Sequence, residues 1–95
     1  MKVQLSPKLI DKLKKQDVRI RHSFKKAIEL FAQDPNNLEL DNHELEREWK
    51  GFRSIDVTAD LRAIYQEVRD EDEPMAYFVA LGTHEYLYKP AHTRI

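Results

Sequence analysis

Five residues have the side-chain types needed to move protons at a phosphodiester: His43, Asp60, Arg62, His84 and Tyr88. Together they suit the cleavage of RNA without a metal. A base takes the proton of the 2′-hydroxyl, which attacks the adjacent phosphorus, and an acid protonates the leaving 5′-oxygen. A cation stabilises the charge building on the phosphate, and an aromatic ring stacks on a base and splays it into line. His84 follows Gly82-Thr83 at an expected strand end, and an imidazole titrates near ~6.5, where proton transfer at neutral pH is efficient. Taken singly, each residue has an ordinary role. A lone histidine more often makes a local hydrogen bond, Asp60 is a turn former, and Arg62 is a cross-strand ion partner. Tyr86 and Tyr88 are core or rim aromatics, and Trp49 is a packing residue. Only the set points to catalysis, and it leaves open whether His43 or Asp60 is the base.

Other chemistries find little support. The histidines His22, His43, His84 and His92 show no ligand spacing and there is no cysteine, so neither a metal site nor a disulfide framework is expected. Two glycines, Gly51 and Gly82, cannot build a phosphate-cradling loop, and there is no serine-nucleophile motif. No cofactor and no metal are expected. Ninety-five residues, 41% apolar and 35% charged, describe one domain spanning 1–95 with a single modest core. With no signal-peptide-like start and no run approaching the ~20 apolar residues of a membrane span, the expectation is a soluble cytoplasmic protein without membrane contact. Charge is uneven: residues 1–33 carry nine Lys/Arg against three acids, and residues 34–95 carry seven against fourteen. A basic first half suits a polyanion or an acidic partner, or is simply a solvated helix surface.

The elements that must position these residues follow from periodicity. Residues 2–5 alternate as a short strand. Ser6 and Pro7 open a helix that stops near Gln16, with Leu9, Ile10 and Leu13 as its stripe. Asp17 caps a second helix on the pattern Ile20, Phe24, Ala27, Ile28, Phe31, ended by Pro35. Residues 36–48 read as a polar linker pinned by Leu38, Leu40 and Leu45. A strand over residues 52–58 turns at 58–60 into a second at 61–68. Residues 69–74, Arg-Asp-Glu-Asp-Glu-Pro, read as a solvated hairpin loop. Residues 75–81 form a third strand, apolar on both parities and therefore central or covered on both faces. Gly82 breaks it, and Thr83 caps one helical turn carrying His84 and Tyr88 on one face. The result is an α+β fold of order β-α-α-β-β-β, a helical hairpin packed on a small antiparallel sheet.

The motifs His43-Glu-Leu, Trp49-Lys-Gly-Phe-Arg-Ser-Ile-Asp-Val, Asp60-Leu-Arg-Ala-Ile-Tyr65 and Gly82-Thr-His-Glu-Tyr-Leu-Tyr88 resemble those of the RelE/ParE superfamily of bacterial toxins, most closely its YafQ branch. The resemblance covers nearly the whole chain. It implies a RelE-like fold and a type II toxin–antitoxin toxin that cuts mRNA on the ribosome, neutralised by a cognate antitoxin. It places His43, Asp60, His84 and Tyr88 at catalytic positions, with His84 the leading acid or base and Arg62 a phosphate-stabilising cation. On this reading Lys50, Arg53 and Lys89 contact RNA, and the basic helices face ribosomal RNA or an acidic antitoxin segment. Three positions depart from the branch: Asp56 stands for a histidine, Leu61 for a tryptophan and Ala80 for an arginine, whose lost charge Arg62 is expected to supply. The competing expectations are a ParE-like toxin that inhibits DNA gyrase and a catalytically degraded homologue that only binds its antitoxin.

Overall fold

A computed structural model describes residues 1–87. Strand β1 (Lys2–Leu5) runs into helix α1 (Pro7–Lys14) and then α2 (Val18–Gln33). The caps are those expected. Ser6 Oγ accepts the Leu9 N–H at 3.1 Å, and Asp17 Oδ1 accepts that of Ile20 at 2.9 Å, each satisfying a backbone donor that a helix start leaves unpaired. After short 3-10 turns and strand β2 (His43–Glu44) come β3 (Arg53–Asp56), β4 (Leu61–Asp70), β5 (Glu73–Thr83) and α3 (His84–Leu87).

The sheet order is β1-β5-β4-β3-β2. It is mixed rather than wholly antiparallel, because β1 lies parallel to β5, from Lys2 opposite Met75 to Leu5 opposite Phe78. Alternation of side chains identifies a strand but not the direction of its neighbour. β2, expected as linker, pairs antiparallel with β3; two residues are too few to show a period. The expected loop at 69–74 is another correction. β4 and β5 stay paired to Asp70 opposite Glu73, leaving only Glu71 and Asp72 to turn, at φ of 50° and 70°. That is the handedness a tight hairpin demands. Across it, Lys2 Nζ reaches Asp70 at 2.7 Å and Glu73 at 3.5 Å, so charges that look like loop serve as a rung at the sheet's end.

Two apolar layers follow. Phe24, Ala27 and Phe31 of α2 and Leu9 of α1 bury one face of the sheet against Ile55, Ala63, Tyr65, Phe78 and Leu81. The other face carries a smaller cluster of Leu45, Trp49, Ile64 and Leu87. A register shift opposite Ile64/Tyr65 inserts an extra residue in β5, so Val79 and Ala80 both pack toward the second cluster. This accounts for a strand apolar on both parities, and β5 is flanked by β1 and β4 as a central strand should be. Gly82 does not break β5; it pairs with Arg62. Its missing side chain serves another purpose, because a Cβ there would stand 2.7 Å from Tyr86 Cδ2. No helix among the described residues is long and apolar enough to cross a membrane.

Candidate functional site

Topology gathers the chemistry at one end of the sheet. β2 and β4 begin there and β3 and β5 end there, because each pair is antiparallel. Arg62 lies between Asp56 and Gly82 in the register, and His43 lies opposite Ser54. Asp60 and His84 follow the last cross-strand pair, Leu61 with Thr83. Tyr88 and Lys89 lie outside the described residues.

Arg62 is held on every side. Nε donates to Ser54 Oγ at 3.0 Å, Nη1 donates to Asp56 Oδ1, and Nη2 donates to the Asp41 carbonyl at 3.2 Å. Its side chain is only 14% exposed. The arginine is therefore the cross-strand partner of Asp56, with its charge largely matched by that carboxylate. Ser54 is fully buried, and its hydroxyl accepts the Arg62 Nε proton.

Asp41 joins this assembly to His43. It sits in the left-handed region at φ 47°, ψ 49°, a conformation aspartate tolerates better than most residues. Its carbonyl there lies 2.9 Å from His43 Nδ1. Arg62 Nη2 also lies 3.3 Å from Nδ1, but one nitrogen cannot both donate to the carbonyl and accept from the arginine. The shorter contact assigns the proton to Nδ1, which donates to Asp41 and leaves Nε2 as the lone-pair nitrogen; the assignment follows from the network.

His84 begins α3 at the exposed surface. Four contacts fix that single turn. Thr83 Oγ1 accepts the Tyr86 N–H at 3.1 Å, the expected cap. Trp49 Nε1 donates to the Leu87 carbonyl at 3.0 Å. Tyr86 packs over Gly82, and Lys12 Nζ donates to the Leu81 carbonyl while standing 4.4 Å from the centre of the Tyr86 ring. Burial pulls the Lys12 ammonium below its ordinary pKa.

His43 and His84 line one cleft of about 470 Å³ with Leu45, Arg47 and three glutamates, Glu44, Glu46 and Glu48. The structure thus brings the two histidines together. Asp60 stays at the turn, its N–H bonded to Thr58 Oγ1 at 3.2 Å, and neither it nor Arg62 lines the cleft. Lys50 is exposed beside Gly51. Arg53 is engaged by Asn42 Oδ1 at 2.8 Å and by Glu44 at 3.4 Å. Trp49 is buried, as a packing residue should be. Ser54, Asp41 and Asn42 were not legible as site residues. The Asp56–Arg62 pair had a signal, since a hairpin centred on residue 59 places 56 opposite 62. Among the described residues no group of three or more His, Asp or Glu is arranged to hold a metal ion.

Residues 5–89 match the family model described as bacterial toxin of type II toxin–antitoxin system, YafQ. Among curated proteins none matches the chain. Solved structures share the fold. A YoeB/ParE toxin from Agrobacterium tumefaciens superposes with a TM-score of 0.69 at 18% identity, over 88% of this chain and 99% of that one. YafQ from E. coli gives 0.62 at 24% identity, over 92% and 97%. The E. coli DinJ–YafQ complex gives 0.56 at 24% identity, over 92% and 97%.

Proposed function

The chain belongs to the YafQ family of toxins of bacterial type II toxin–antitoxin systems, and from that premise we propose that it is an endoribonuclease that cuts mRNA without a metal. The observation that carries this reading is the shared cleft of His43 and His84. In the neutral tautomer whose Nδ1 donates to the Asp41 carbonyl, His43 Nε2 takes the 2′-hydroxyl proton. The 2′-oxygen forms a bond to phosphorus as the P–O5′ bond breaks, and His84 supplies the proton to O5′. The products are a 2′,3′-cyclic phosphate and a 5′-hydroxyl. Arg62, tied to Asp56 and Ser54, lies behind His43 and holds Asp41 and the imidazole in place. Asp60, beside His84 at the sheet end, orients the acid. Tyr88 stacks on a base, and Lys50, Arg53 and Lys89 meet the RNA backbone.

The partner of the resting protein is a cognate antitoxin, as DinJ is for YafQ in the E. coli complex. The basic surface of α1 and α2, with Lys14, Lys15, Arg19, Arg21, Lys25 and Lys26 all exposed, faces ribosomal RNA in the cytoplasm, where phosphate neutralisation favours binding. The test is induction of the wild type and of His84→Ala, with growth followed and primer extension run on a reporter mRNA. Cuts inside translated codons that disappear in the variant support the reading. Arrest without cuts points to gyrase inhibition, and no arrest by folded protein points to an antitoxin-binding relic.

A further inference from the structure

On the sheet face that carries the histidine cleft, but on the far side of α3, lies a second recess of about 510 Å³. Lys8 and Lys12 of α1 line it, with Phe52, Tyr86 and the cross-strand pair Gln66 and Tyr77. We infer that this recess binds one nucleotide of single-stranded RNA flanking the cut, its phosphate on Lys8 and Lys12 and its base against the aromatic rings. The inference rests on the ribonuclease reading above.

Charge is the first argument. Neither Lys8 nor Lys12 has a carboxylate within ion-pair distance among the described residues. Lys12 is half-buried, with its ammonium committed to the Leu81 carbonyl and the Tyr86 ring, and burial lowers its pKa. A desolvated cation without an anion gains most when one arrives. Arg62 is in the opposite condition, since Asp56 already matches it. Lys8 and Lys12 are therefore the cations of the recess that are ready for a phosphate.

Shape and spacing are the second. Base stacking on aromatic side chains tolerates every sequence because every base has a π-face. Tyr86 is 44% exposed, and the Gln66 amide and Tyr77 hydroxyl offer polar groups to a base edge. His84 lines the cleft, and Tyr86, two residues on along α3, lines the recess. A chain passing the cleft reaches the recess within a few nucleotides. A peptide added as a strand finds little edge here: β1 covers β5 from Met75 to Phe78, and beyond it the Leu81 carbonyl is already taken by Lys12 Nζ.

The experiment uses the full chain carrying His84→Ala and a fluorescent, fully 2′-O-methylated oligoribonucleotide, so binding is read apart from cleavage. Anisotropy is followed against salt. Lys8→Gln/Lys12→Gln is expected to weaken binding and to flatten the log K against log salt slope by about 1.4, two lysines being worth about 0.7 each on a single strand. Tyr77→Leu is expected to weaken binding about five-fold or more with the slope unchanged. Lys8→Gln alone, at an exposed position, guards against misfolding at Lys12 and should flatten the slope by about 0.7. Unchanged affinity and slope in all three folded variants overturn the inference. Retained RNA binding with lost capture of the co-expressed antitoxin also overturns it and assigns the recess to that protein. If the wild type cuts no RNA yet the variants lose oligonucleotide affinity as stated, the recess stands and the catalytic reading falls.

Discussion

Gly82→Ala separates the two things a glycine does in a strand. In β5 it pairs with Arg62, and there a glycine ordinarily weakens the strand, so alanine should stabilise by about 0.5–1 kcal/mol. Against that, the new Cβ would stand 2.7 Å from Tyr86 Cδ2 and 3.4 Å from Leu87 Cγ. Overpacking of this kind costs about 1–3 kcal/mol, so the clash outweighs the gain, for a net loss of about 0–2.5 kcal/mol. The easiest relief is for the Tyr86 ring to swing off the strand, abandoning the Lys12 ammonium at 4.4 Å and tilting the turn that carries His84. Urea unfolding of Gly82→Ala, Tyr86→Ala and the double variant completes the cycle. In the Tyr86→Ala background the 2.7 Å contact is gone, and the same substitution should become stabilising by about 0.5–1 kcal/mol. Cleavage should fall in Gly82→Ala more than the stability loss alone accounts for. An equal cost in both backgrounds would refute the reasoning, because the penalty would then have nothing to do with the ring.

Ser54→Ala leaves Arg62 Nε buried without its acceptor and should cost about 1–3 kcal/mol in chemical denaturation, with kcat falling as His43 loses its support. Trp49→Phe removes the donor to the Leu87 carbonyl and opens space in the second cluster; a loss of about 1–3 kcal/mol is expected, with the activity midpoint in urea moving ahead of the global unfolding midpoint. The Lys2 ammonium is raised above its ordinary value by its hydrogen bond to Asp70, then by that residue's charge. The stabilisation is thus present below about pH 10.5 and lost as pH rises through the raised pKa. Lys2→Met should be less stable than wild type at neutral pH, and the difference should vanish in strong alkali.

The helices were legible because each carries its signals within itself: Ser6-Pro7, Asp17 and the stripe from Ile20 to Phe31 are local, and the structure keeps all of them. What was illegible depends on partners distant in sequence. The direction of β1 is decided by Met75–Phe78. β2 exists only because Ser54 and Arg53 lie beside it. The hairpin at Asp70–Glu73 looked like loop because its charges were weighed without Lys2, 68 residues away. The site divides along the same line. His43 and His84 were visible as types, but the closest contacts of Asp41 in the site run through a carbonyl turned by a left-handed backbone, with its carboxylate farther off at 3.7 Å from Arg62 and 3.9 Å from His43, and no side-chain motif announces a carbonyl.

Arg62 shows why the distinction matters for chemistry. Its type and strand position are those of a phosphate-binding cation, yet Asp56 stands opposite it and holds it. The cleft beyond carries Glu44, Glu46 and Glu48 against Arg47. A polyanion approaching the histidines therefore meets an acidic rim, while most of the exposed lysines and arginines among the described residues lie on α1 and α2. Attraction and proton transfer are thus assigned to different surfaces. On the proposed ribonuclease reading, the charge that draws RNA in would act from the helices over a screening length of about 10 Å, and the cleft would admit a strand already held elsewhere. In such an arrangement added salt should raise KM steeply while leaving kcat nearly unchanged, because the histidine pair, once occupied, has no need of the distant charge. A kcat that fell with salt as fast as kcat/KM would place the decisive cation in the cleft itself, and the helix surface would lose its role.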